Sequence, residues 1–143
     1  MRLLLTVILA SALVIPSLRA ADGDRIYSAL ILANKESSPG PVPKELASDA
    51  AEIKEIFGFN SLYLLGDKKK PVSADSWLVP SDEFFFKVNL LKREETRYVL
   101  EIELYQQKKQ LLSAQVSLAK DAPLYIRGPQ WGKGRLVLLL KII

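Results

Sequence analysis

PKELASDAAEIKEIFG, residues 43–58, decides whether the chain is built of strands alone or of strands and a helix. Leu46, Ala50, Ile53 and Phe57 recur at i, i+4, i+7 and i+11, which is one stripe of a 3.6-residue helix. Lys44, Asp49, Glu52 and Glu55 lie off that stripe, on surface that can stay wet. Pro43 suits the first helical position, where its missing N–H would have no intrahelical partner. Gly58 can take the left-handed conformation that ends a helix without a Cβ penalty. The spacing predicts a helix over 43–58 with one apolar face, and such a helix needs an apolar surface to lie on.

On either side of it the sequence reads as strands. Ile26–Ala33, IYSALILA, turns Ile26, Leu30 and Leu32 one way and Tyr27, Ala29 and Ile31 the other, the pattern of a strand covered on both faces. Lys35–Val42 is a loop by composition, with Pro39, Gly40 and Pro41 unable to continue either periodicity. Phe59–Leu65, closed by Gly66-Asp67, completes a β-α-β opening, and two parallel strands there would require a right-handed crossover. Lys68–Ala74 reads as a basic, proline-containing connection with the lysines at its tip, and Ser76–Val79 as a stub of strand.

Strict alternation then takes over in Glu83–Leu91, Arg97–Tyr105 and Leu112–Leu118, which marks half-buried antiparallel strands. Their connections, Lys92–Thr96 and Gln106–Gln110, are short and polar, as hairpin turns are. Pro123–Arg127 is a short strand, and Gly128–Gly134, GPQWGKG, reads as a tight glycine-rich turn. Arg135–Ile143, RLVLLLKII, is apolar on both faces and is expected to lie centrally, beside Ile26–Ala33. The fold class is α+β: a single helix packed on a mainly antiparallel, curled sheet, a β-α-β start followed by a β-meander that bends towards a sandwich or partial barrel. No internal repeat and no second domain are evident.

Residues 1–20 have the layout of a secretory signal peptide: Arg2, an apolar run over Leu3–Ile15, then Pro16-Ser-Leu-Arg-Ala20. Cleavage is expected after Ala20, leaving residues 21–143 as a single α+β domain, periplasmic or secreted from a bacterium. The apolar run is shorter than the ~20 residues a bilayer span requires, so no stable membrane span is expected once the leader is removed. The whole chain carries a formal +4, but Arg2 and Arg19 belong to the leader, leaving 18 basic against 16 acidic residues. That near balance, with export, speaks against a nucleic-acid partner. Without a single cysteine the domain has no disulfides and is held by packing alone.

The chain also contains no histidine, which removes histidine-based triads, thiol catalysis and zinc sites built on these ligands. Gly128–Gly134 is not a phosphate-binding loop, because Lys133 is followed by Gly134 rather than Ser or Thr and no helix comes next. Carboxylates remain, and Asp67, Asp75, Asp82 and Glu83 are the residues from which a hydrolytic pair would be drawn. Such a pair needs one carboxyl desolvated, whereas these four read as solvated turn residues. Trp131 is the candidate binding anchor, with Arg127 and Arg135 as its neighbours, since Trp and Arg are enriched at interface hot spots.

Three segments carry a resemblance: Pro43–Leu46 (PKEL), Ile56–Gly66 (IFGFNSLYLLG) and Arg127–Leu140 (RGPQWGKGRLVLLL). Their pattern resembles that of small, uncharacterised exported bacterial proteins. The resemblance brings no activity and no functional residue with it. The reading from the residues is an exported, non-catalytic module that binds an envelope protein or assembly component through a sheet edge or the Trp131 loop, without cofactor or metal. The alternative is a carrier that holds a lipid or other apolar ligand between helix and sheet, suggested by the aromatic residues Trp77, Phe84, Phe85 and Phe86.

Overall fold

The computed structural model describes residues 23–143, and the leader lies outside them. Eight strands form two four-stranded sheets, both antiparallel throughout. The first sheet has the order β2-β1-β8-β7, from β1 (Arg25–Asn34), β2 (Ser61–Pro71), β7 (Leu124–Trp131) and β8 (Gly134–Ile142). The second is a meander, β3 (Ser76–Pro80), β4 (Phe84–Arg93), β5 (Arg97–Gln106) and β6 (Lys109–Ala119). One helix, α1 (Ala50–Phe57), lies in the long connection between β1 and β2.

The two sheets pack face to face. Ile26, Leu30, Leu136, Leu138 and Leu140 of the first meet Trp77, Val79, Phe86, Leu100, Ile102 and Leu104 of the second in one core. The alternate residues of β1 and β8, Tyr27, Ala29, Ile31, Ala33, Val137 and Leu139, form a second core with Leu46, Ala50 and Ile53. The helix therefore covers the outer face of the first sheet, and β1 and β8 are buried on both sides. This is why they read as unbroken apolar runs while β4 and β5 alternate. The two sides of β1 divide as the sequence indicates, and β8 lies beside β1 with Leu30 opposite Leu138. Ser28, which β1 sends into the inter-sheet core, accepts a 3.0 Å hydrogen bond from the Trp77 indole N–H. A buried donor and a buried acceptor are thereby satisfied together.

Several expectations need correction. Antiparallel and mainly sheet is right, but the sheet is not one curled surface: there are two sheets, and they do not close. β1 and β2 pair directly and antiparallel, so the opening is a hairpin with a helical insertion rather than a parallel crossover. The Lys68–Lys70 run is not a loop tip but the continuation of β2, paired with Ser28, Tyr27 and Ile26. β7 likewise runs past Gly128-Pro129, which form a bulge, to a two-residue turn at Gly132-Lys133 with Gly132 at φ 58°.

The helix is shorter than its periodicity. Lys44–Leu46 form a 3₁₀ turn after Pro43, and the α-helical part starts only at Ala50. It ends as expected at Gly58, with φ 72° and a 2.9 Å bond from the Gly58 N–H to the Lys54 carbonyl. Asp49 stands at the N-cap, yet its carboxylate makes no cap bond. It accepts instead from Lys141 Nζ on β8 at 2.5 Å and from the Tyr125 hydroxyl on β7 at 3.3 Å. Asp49 thus ties the helix to the sheet beneath it. Phe57, the last residue of the apolar stripe, is only half-buried.

Candidate functional site

Trp131 ends β7, and its side chain falls on the inter-sheet side of the first sheet, against the edge of the main core. Its ring meets that of Phe84 edge to face, at 5.0 Å between centroids and 81° between planes, a favoured aromatic geometry. Phe84 is held by the turn before it. The Ser81 hydroxyl donates to the Phe84 carbonyl at 3.1 Å, and the Phe84 N–H donates back to Ser81 Oγ at 3.0 Å. This reciprocal turn fixes where Asp82 and Glu83 stand.

Trp131, Phe84, Leu32 and Leu65 line a cleft of about 240 Å³ at one end of the sandwich, with Ser81, Asp82 and Glu83 completing its wall. Leu65 is offered to it by a bulge in β2, where Leu30 pairs with Gly66 and Ile31 with Leu64. Gly66 is obligatory here, because a Cβ at that position would overlap the Pro80 carbonyl oxygen. An apolar floor with two carboxylates at its rim suits an apolar group attached to a positive charge.

The arginines expected beside Trp131 are elsewhere. Arg127 pairs with Val137 and Arg135 with Gln130, which places both on the helix-side face of the sheet, opposite to Trp131. The bulge at Gly128-Pro129 changes the phase of β7 and separates Arg127 from Trp131, whereas Arg135 follows Gly134, the residue opposite Trp131, and so points the other way. Arg135 Nη1 donates to the Gly128 carbonyl at 2.9 Å and so braces the bulge. Sequence proximity gave the wrong neighbours; the true ones, Asp82 and Glu83, come from a turn almost fifty residues upstream.

Of the four carboxylates singled out, Asp82 and Glu83 share the cleft and are both exposed. Asp67 accepts a 2.9 Å bond from the Tyr27 hydroxyl, and Asp75 accepts one of 2.7 Å from Arg93. Neither of these two lines the cleft. Among the described residues no cluster of three or more acidic side chains is arranged to hold a metal ion. Nor is any helix among them long and apolar enough to cross a membrane. The four aromatic residues behind the carrier reading divide: Trp77, Phe84 and Phe86 are buried between the sheets, whereas Phe85 is exposed on the far side of the meander.

A second cavity, about 230 Å³, opens on the helix side and is lined by Tyr27, Glu45, Lys69, Lys141 and Ile143. Burial, reinforced by the hydrogen bond to Asp67, pushes the Tyr27 hydroxyl far above the usual tyrosine range. Burial and the bond to Glu52 do the same to Tyr125. Both tyrosines are therefore neutral donors at physiological pH: Tyr125, with the Lys141–Asp49 pair, holds the helix down, and Tyr27 ties β1 to Asp67 of β2. This group builds the fold rather than a site. No family model, curated protein or solved structure matches the chain.

Proposed function

We propose that the protein is an exported, non-catalytic interaction module of the bacterial envelope. Its cleft at Trp131 takes a segment of a partner protein in which an aromatic or aliphatic residue adjoins a lysine or arginine. The observation that carries this reading is the pairing, in one cleft, of a half-buried tryptophan with the exposed carboxylates of Asp82 and Glu83. Tryptophan supplies rigid contact area at an interface, and the acidic rim supplies orientation and selectivity. The absence of histidine and cysteine from the sequence favours binding over chemistry.

Selection of peptides from a displayed random library on the purified protein tests it. The expected consensus joins an apolar residue to a basic one, and the selected peptides lose affinity at least tenfold against Asp82→Lys/Glu83→Lys protein. Both positions are exposed, so the fold survives the change. Peptides without a positive charge, or peptides indifferent to the reversal, would contradict the proposal.

A further inference from the structure

A two-layer β-fold with open sheets has four edge strands, each a row of unpaired N–H and C=O groups that must be blocked or used. Three are blocked here. β2 carries a bulge at Leu65, then Lys68, Lys69 and Lys70, and ends at Pro71. β3 is only five residues long and ends at Pro80. β7 is broken by the Gly128-Pro129 bulge. β6 differs from all of these. It runs for 11 residues without proline or glycine, its one irregularity falls beside the turn at Leu111, and from Gln110 to Ala119 it has no charged side chain.

The regular part of β6 is Leu112–Leu118, with the sequence L-S-A-Q-V-S-L. Read backwards it is nearly the same: leucine at both ends, serine next, an alanine and a valine flanking the central Gln115. Leu112, Ala114 and Val116 face the inter-sheet core yet remain half-buried, because among the described residues no strand pairs with β6 beyond its edge. Ser113, Gln115 and Ser117 are exposed on the opposite face. We infer that β6 is a self-pairing edge: two copies of the chain join antiparallel about a two-fold axis at Gln115 and extend the meander into a continuous eight-stranded sheet.

This register sets Leu112 opposite Leu118 of the second copy, Ala114 opposite its Val116, Ser113 opposite its Ser117, and Gln115 opposite Gln115. Every inward residue meets an inward one, the smallest meets a larger one, and no charge opposes a like charge. Directly opposed pairs lie about 4.5–5.5 Å apart at Cβ, close enough to finish the burial of the three half-covered apolar residues. A two-fold contact demands this self-complementarity. An edge meant for a foreign peptide does not. The dimer uses no residue of the Trp131 cleft, so the two proposals stand or fall separately.

Sedimentation equilibrium of the purified protein over a range of concentrations tests the inference, with two variants that differ at one position. Ser113→Lys/Ser117→Lys places lysine opposite lysine across the axis. Ser113→Lys/Ser117→Glu places lysine opposite glutamate. All altered side chains are on the solvent face, and a native far-UV spectrum confirms that each variant folds. The expected result is twice the monomer mass for the parent and for the Lys/Glu variant, and at least a tenfold weaker association for the Lys/Lys variant. A parent that stays monomeric at millimolar concentration overturns the inference. So does a dimer that both variants leave unchanged, since its contact would then lie elsewhere.

Discussion

The two sheets are made of similar residues but live in different surroundings. The first is sandwiched, with the meander on one face and α1 on the other, so that its central strands β1 and β8 meet water on neither side. The second has a single packed face; its outer face carries Lys87, Glu101, Glu103 and Gln115 together with the exposed Leu78, Phe85 and Leu91. Covering both faces of a strand removes the need for alternation and leaves only its ends and edges to mark its position. The first sheet is thus the body of the molecule. The second has, among the described residues, no layer over its outer face and an edge strand, β6, without proline or glycine.

The largest expected break in this comparison comes from truncating one buried aliphatic side chain in each layer. Leu138→Ala, between the sheets, is expected to cost about 4 kcal/mol, and Ile53→Ala, under the helix, about 2–3 kcal/mol, because a helix inserted in a connection can settle into the space more easily than two sheets can. Chemical denaturation gives both values. Equal costs would mean that the helix layer is as rigid as the sandwich.

A smaller effect sharpens the role of the ion pair between the layers. Lys141→Met strips the partner from Asp49, whose side chain is only 8% exposed. A buried carboxylate left without a counter-charge, with only hydroxyl donors beside it, is expected to cost about 2–3 kcal/mol, less than for a fully enclosed pair because Lys141 itself is 19% exposed. Adding Asp49→Leu to Lys141→Met should recover most of the loss in the same melts, since the stranded charge is gone. No recovery would show that the pair contributes through attraction rather than by satisfying a buried charge.

The sequence made the meander almost fully legible, because alternation with one wet face is its direct imprint. It also revealed the doubly covered strands β1 and β8, their adjacency, and the helix stop at Gly58. What it hid were facts set by tertiary contact. β2 runs on through three lysines because one side of an edge strand stays wet, so basic composition imitates a loop. The helical stretch opens with a separate 3₁₀ turn, and Asp49 serves Lys141 and Tyr125 instead of its own backbone. Lys141 itself looks like an interruption in RLVLLLKII until the helix is in place above it. The Trp131 cleft was half legible: the tryptophan stands out in the sequence, but the Gly128-Pro129 bulge turns Arg127 to the other face, and Arg135 points there because it follows Gly134, the residue opposite Trp131. Asp82 and Glu83 were visible as carboxylates, and nothing local linked them to Trp131.

Backbone amide exchange, followed strand by strand at a concentration low enough to keep the protein monomeric, bears most directly on the claim that one sheet is sealed and the other left open. The amides of β1 and β8 should exchange only through global unfolding, while the outward amides of β6 exchange orders of magnitude faster. Protection of β6 equal to that of β8 in the monomer, or early exchange in β8, would contradict it.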